Sequence, residues 1–297
     1  MKTEKNILIA FILNLSFSVF EFIGGMFTGS VAVISDAVHD VGDAVSIGIS
    51  YILEKKSKKQ PDEKYTYGYG RYSVLGGAVT TVTLLVGSIA VIINAISRIF
   101  KPVEINYNGM IVFAIIGVLV NFVAAFVTRE GDSLNQKAVN LHMLEDVLGW
   151  LVVLVGAVVM RFTDFAVIDP LMSIGVAIFI LVNSINNFRE IIDLFLGKIP
   201  HNVDVNEIKE HLTKVSGVVD VHHIHIWSID GKNNCATMHI VTDADFEQIK
   251  LKVRQELQKH GIVHATLELE GVNEHCHEKH CHTDFDCASC CHHHHHH

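Results

Sequence analysis

Charge is absent from two long stretches of this 297-residue chain, Leu75 to Ile96 and Gly109 to Val127. Each is about 20 residues, enough to cross the hydrocarbon core of a bilayer as a helix. Basic charge is also in deficit: 23 Lys and Arg against 32 Asp and Glu leave a formal net charge of -9, which opposes phosphate contact and disfavours nucleic acid, so no nucleic-acid partner is expected. Cysteine is nearly missing before residue 276, where Cys235 stands by itself. No H-E-x-x-H helix motif is present, since His277-Glu278-Lys279-His280 has the wrong spacing and lies in a polar tail. An intramembrane metalloprotease is thereby disfavoured and no enzymatic activity is expected. The first apolar run is too long for a cleavable leader and lacks a small-residue cleavage site.

Four further segments read as spans: about Asn6 to Thr28, Val31 to Leu53, Val139 to Met160, and Ala166 to Asn187, with Asp169 and Pro170 near the start of the last. The total is six. Lys55, Lys56, Lys58, Lys59, Lys64 and Arg71 crowd the connection from Glu54 to Tyr72, while the opposite loop holds Arg98 and Lys101. The excess places the former loop, and with it both termini, in the cytoplasm. The short termini and the lack of organellar signals point to a bacterial plasma membrane.

Within two of these spans the pattern H-x-x-x-D occurs, as His39 with Asp43 and as His142 with Asp146. Four residues advance a helix by about one turn, so each pair shares a helix face. Two such faces supply the four N/O ligands of a tetrahedral divalent ion. Isolated polar groups in membrane helices also serve packing, yet each charge at that depth costs about 2.5 to 3.5 kcal/mol on insertion scales. A duplicated pattern carrying that cost twice predicts a metal pathway. Imidazole with carboxylate suits Zn and its neighbours, whereas Mg and Ca prefer oxygen shells. Asp36, Asp40, Glu145 and Glu21 read instead as polar partners of neighbouring helices or as groups that orient a ligating histidine.

Composition changes near Pro200. From His201 to Val272 the pattern predicts a helix over Val205 to Val215, strands near Val221 to Ile229 and Ala236 to Val241, a helix over Phe246 to His260 and a strand near His264 to Glu270. Asp230-Gly231-Lys232 is the turn between the first two strands. The order α-β-β-α-β fits a ferredoxin-like layer of helices on one sheet face. The expected fold is thus an all-α, six-helix transmembrane bundle over residues 1–199, followed by an α+β ferredoxin-like cytoplasmic domain over residues 200–272. Residues 273–291 form a His/Cys-rich tail, and the six histidines 292–297 read as an expression tag. The tail's His-Cys-His triplets and Cys287-x-x-Cys290 suit Zn or a similar ion in a reducing compartment.

Taken in order, Ser35-Asp36-Ala37-Val38-His39-Asp40-Val41-Gly42-Asp43, the loop Tyr65 to Arg71, His142 to Asp146, Asp169-Pro170 and Val221-His222-His223-Ile224-His225-Ile226-Trp227 resemble the patterns of the cation diffusion facilitators, whose members are divalent metal/proton antiporters. The resemblance covers almost the whole chain. It implies a homodimer whose protomers each carry a transport site of His39, Asp43, His142 and Asp146, with further metal bound by the cytoplasmic domains. The His/Asp pairing resembles the zinc-type subgroup rather than the manganese type. Two features depart from the family: Glu145 stands where a small residue is usual, and the loop after the second span has no histidine, so the metal site some members hold there is not expected.

The expected activity is export of Zn2+, with Cd2+ and Co2+ as secondary cargo, against protons by alternating access. His222, His239, His264 and Glu270 are the candidate cytoplasmic ligands, with Cys287 and Cys290 completing or adding to that site. Strand alternation sets His223 on the sheet face opposite His222. A membrane-anchored metal sensor or store is the competing reading: it keeps the cytoplasmic ligands but has no need of paired ligands at membrane depth.

Overall fold

A computed structural model describes residues 2–28, 31–100, 107–131, 133–162 and 168–274. The chain divides into two compact units, Met1–Leu196 with Ile229–Lys232, and Gly197–Ser228 with Asn233–His297.

Six long helices build the first unit: α1 (Lys2–Thr28), α2 (Val31–Ser57), α3 (Arg71–Phe100), α4 (Tyr107–Thr128), α5 (Leu134–Phe162) and α6 (Ile168–Phe195). Among the described residues, five of them carry an apolar window long enough to cross a membrane. The exception is α2, whose Asp36, Asp40 and Asp43 interrupt the apolar run. Large apolar side chains such as Phe20, Val86, Leu119, Phe122 and Phe179 face outward from these helices. In water such a surface aggregates; against lipid it is the stable arrangement, and the protein is an integral membrane protein.

The inward faces explain the bundle. Ile7 and Ala10 of α1, Ile47 of α2, Ala124 and Ala125 of α4, and Val139 and Met143 of α5 form one buried cluster. Small residues recur where helices approach closely, as lipid-embedded packing requires. Helices α3 and α6 pack on each other, and α3 also meets α2 and α5. Several expected boundaries shift: α6, for example, runs on to Phe195 and α3 spans Arg71–Phe100, and two of the shifts have a visible cause. Helix α5 starts at Leu134, five residues before the expected Val139, because Asn135 and Gln136, though polar, are buried and hydrogen-bonded. Helix α2 runs through Ser57, so Glu54, expected in the loop, lies within the helix and accepts hydrogen bonds from Ser73 Oγ (2.5 Å) and Asn135 Nδ2 (3.1 Å). Pro170 sits in the first turn of α6, where a missing N–H costs nothing.

The second unit has the expected order: α7 (Val205–Thr213), β1 (Val218–Ser228), β2 (Asn234–Thr242), α8 (Phe246–Lys259) and β3 (Ile262–Gly271). Asp204 and Asp245 cap the two helices by accepting backbone N–H bonds from Asn206 and Gln248. The sheet runs β1-β2-β3, with β1 antiparallel and β3 parallel to β2. The expected turn is present: Gly231 takes a φ of 88°, and Asp230 Oδ1 accepts from Lys232 N. Ile208 and Leu212 of α7 and Ile249, Val253 and Leu257 of α8 pack against Val221, Ile226, Met238 and Ile240 of the sheet. Both helices therefore cover one sheet face. The other face is left for polar chemistry.

Candidate metal sites

Helices α2 and α5 bring three of the four expected intramembrane ligands together. One donor atom each from Asp43, His142 and Asp146 lies within 4.8 Å of the others. His142 Nε2 stands 3.6 Å from Asp43 Oδ2, close to the ~3.3 Å that separates ligand atoms in a tetrahedral shell with bonds of about 2.0–2.1 Å. Asp43 and His142 are buried. A buried carboxylate and imidazole beside a second, half-buried carboxylate are costly without a cation. His39 belongs to α2, one turn before Asp43, but its side chain lies outside the described residues.

Asn14 and Ser18, which the sequence did not single out, add to the surroundings, together with the expected polar groups Glu21 and Glu145. Asn14 of α1 is buried and donates from Nδ2 to Asp146 Oδ2 at 3.3 Å. Asn14, Ser18 and Glu21 are all buried at i, i+4 and i+7, a polar stripe on one face of an otherwise apolar helix. That stripe was the available signal. Glu145, next to Asp146 on α5, accepts from Ser88 Oγ of α3 at 3.3 Å. Trp150, one turn after Asp146, packs edge-on against Phe17 of α1 with ring centroids 5.4 Å apart, closing the interface beside the ligands.

On the open sheet face a second group forms from His222, His239 and Glu270. The first two are cross-strand partners on β1 and β2. His239 Nδ1 is 2.6 Å from Glu270 Oε1, and His222 Nε2 is 3.3 Å from Glu270 Oε2. The other nitrogen of His222 is 3.4 Å from Asp220 Oδ2, and neither ring nitrogen has a hydrogen bond, although the side chain is only 9% exposed. A nearly buried imidazole aimed at two carboxylates without hydrogen-bond geometry is suited to a cation between them.

His223 departs from simple alternation. It has a φ of 53°, within a register shift between His222 and His225, and its ring stacks on His239 at 4.8 Å while meeting His225 edge-on at the same distance. The bulge re-aims a side chain that a regular strand would send to the opposite face. Desolvation first, then the nearby His223 and His239 rings, hold the His225 imidazole below its ordinary pKa. His264 is not in the group. It is exposed, in register with Cys235, and six residues along β3 from Glu270, about 20 Å away. Cys287 and Cys290 lie outside the described residues. A third group, Glu207, His211 and His260, had no place in the sequence reading.

Residues 7–196 match the model of the cation efflux transmembrane domain, and residues 200–272 that of the cation efflux protein cytoplasmic domain, a dimer module. The chain is 31% identical over 284 residues to a cadmium, cobalt and zinc/H(+)-K(+) antiporter of Bacillus subtilis, covering 93% of this chain and 91% of the relative. It is 31% identical over 285 residues to the zinc transporter ZitB of Yersinia pseudotuberculosis, covering 94% and 90%. It is 30% identical over 274 residues to the metal cation efflux system protein CzcD of Cupriavidus metallidurans, covering 90% and 86%.

Proposed function

The chain belongs to the cation efflux family, the cation diffusion facilitators, and from that premise we propose that it exports Zn2+, with Cd2+ and Co2+ as secondary cargo, from the cytoplasm in exchange for protons. The observation that carries the reading is the convergence of Asp43, His142 and Asp146 between two membrane helices. His39 completes the proposed ligand set by its place one turn before Asp43.

Proton coupling follows from the ligand types. Zn2+ takes ionised carboxylates and a neutral imidazole, so loading from the cytoplasm displaces protons from any of these groups that hold them. On the outer side protons compete for the same atoms, weaken the shell and release the ion. One site serves both steps if the helices alternate between an inward and an outward opening. Asn14 donates to one oxygen of Asp146 and so helps to orient this carboxylate for the metal. No catalytic step is needed. The cell membrane is the proposed location, with both termini cytoplasmic, since the Lys-rich connection between α2 and α3 is the most basic of the short loops.

The protein is a homodimer. We assign cytoplasmic Zn2+ binding to His222, His239 and Glu270, whose donor set is two imidazoles and a carboxylate. The boundary between the transport and cytoplasmic domains falls at residues 197–200 in this reading, and the His/Cys-rich tail is a further metal-binding segment.

Purified protein in liposomes with an imposed pH gradient and clamped voltage tests the reading. Zn2+ flux driven by the gradient, lost in Asp43→Ala, is the expected result. Tight Zn2+ binding without flux in either protein would transfer the assignment to a membrane-anchored metal sensor.

A further inference from the structure

The helix layer of the cytoplasmic unit repeats, in soluble form, the spacing logic of the membrane helices. Glu207 and His211 stand four residues apart on α7, and Glu256 and His260 stand four apart at the end of α8. Each pair occupies one face of its helix. The two faces meet where α7 packs on α8.

At the meeting point His211 Nδ1 lies 2.9 Å from His260 Nε2, with the rings tilted at 48°. Glu256 Oε1 is 3.9 Å from both of those nitrogens. Its other oxygen is held by Lys259 Nζ at 2.6 Å, so the carboxylate is anchored with Oε1 turned towards the rings. A carboxylate oxygen of Glu207 comes within 4.8 Å of the two imidazole donors. The geometry points to a divalent transition-metal site formed by Glu207, His211, Glu256 and His260, which clamps α7 to α8.

Charge suits such an ion, and small movements bring the ligands to it. Ligand atoms around tetrahedral Zn2+ stand about 3.3 Å apart, so the two nitrogens open by a few tenths of an ångström, the Glu256 oxygen closes by a little more, and the exposed Glu207 side chain swings in furthest. Side-chain rotation suffices, because the helices themselves are fixed by Ile208 and Leu212 on α7 and by Ile249, Val253 and Leu257 on α8. Without a cation the imidazole pair needs a shared proton, N–H to N; a cation replaces that proton as the bridge. Two neutral imidazoles and two carboxylates offer the N2O2 donor set that Zn2+, Co2+ and Cd2+ accept, and two negative charges to balance the ion.

The site is distinct from the sheet cluster. Residues Val221, Met238 and Ile240 face the helices, whereas His222, His239 and Glu270 occupy the opposite face, so one ion cannot serve both. Its consequence is structural and regulatory: occupancy fixes the two helices that cover the sheet and stiffens the cytoplasmic unit as metal in the cytoplasm rises.

Equilibrium dialysis of the full chain at buffered free Zn2+ tests the inference by difference, so that the histidine-rich C-terminus cancels. The Glu207→Gln/His211→Gln/His260→Gln variant is expected to bind one Zn2+ fewer per protomer than its parent. The same loss is expected in a His222→Ala/His239→Ala background, while proton-driven Zn2+ flux in liposomes persists. An unchanged stoichiometry in a folded triple variant overturns the site, and leaves the transport reading standing. Should the triple variant lose its circular dichroism, Glu207→Gln alone decides: this residue is exposed, and its loss is expected to weaken one Zn2+ equivalent by about tenfold, with unchanged affinity overturning the site.

Discussion

Asn14 reaches from α1 to the carboxylate of Asp146 across a helix interface, so its removal acts on the ligands without removing one. Asn14→Ala is expected to weaken Zn2+ binding at the intramembrane site by about tenfold while the protein still folds, read as a raised half-saturation for flux. Outside the membrane, Asp62 organises the connection between α2 and α3. It accepts from Lys59 Nζ (2.8 Å), the Tyr69 hydroxyl (2.7 Å) and the backbone N–H groups of Lys64 and Tyr65. The Lys59 ammonium first, then the Tyr69 hydroxyl and the Tyr65 amide, hold this carboxyl well below the usual range. A depressed pKa stabilises the folded loop above the ordinary carboxylate pKa, and the contribution is lost as pH falls below it. Loop order is therefore expected to be insensitive to pH between about 5 and 8. At pH 7, Asp62→Asn should speed hydrogen exchange at the Lys64 and Tyr65 amides, since the charged acceptor is gone; unchanged exchange would remove Asp62 from this role.

Among elements, α3 and α5 approach most tightly at glycine. A Cβ on Gly77 would lie 3.0 Å from the Asn135 Cα and backbone N, and one on Gly76 would meet the Asn135 side chain at 2.9 Å. Asn135 in turn donates to Ser50 O and Glu54 Oε2 of α2, so this contact joins three helices. Gly77→Val forces α3 away from backbone, and overpacking of this kind costs about 1–3 kcal/mol. A lowered Tm with reduced flux is expected, because α5 also carries His142 and Asp146. A wild-type Tm would show that the interface yields freely. In the second unit the comparable device is the bulge at His223, which turns a third ring towards His239.

For the molecule as a whole, each of the two units holds its own clusters of side chains suited to a metal ion: two carboxylates and an imidazole among the membrane helices, and histidines with glutamates on the sheet and the helices of the second unit. A ligand that binds only the folded form stabilises by RT ln(1 + [L]/Kd), about 2.7 kcal/mol at 100 times Kd. Zn2+ is expected to raise the Tm of the cytoplasmic transition, and His222→Ala/His239→Ala to remove much of that rise while leaving the membrane transition unchanged. An identical Zn2+ response in the variant would detach the sheet cluster from metal binding.

Six spans, the α-β-β-α-β order and the paired H-x-x-x-D turns are all local in the chain. Apolar length, period and four-residue spacing act within one element, and so the sequence by itself determined the membrane character, the two-part architecture and the face on which each ligand pair lies. What faces what is a different matter. That Asn14 reaches Asp146, that His223 turns to His239 through a bulge, and that Glu207 and His211 meet Glu256 and His260 were decided only by tertiary structure. Asn14 and Asp146 are 132 positions apart and His211 and His260 are 49 apart, while the turn of His223 depends on a break in strand register; no periodicity within a single helix or strand encodes any of these.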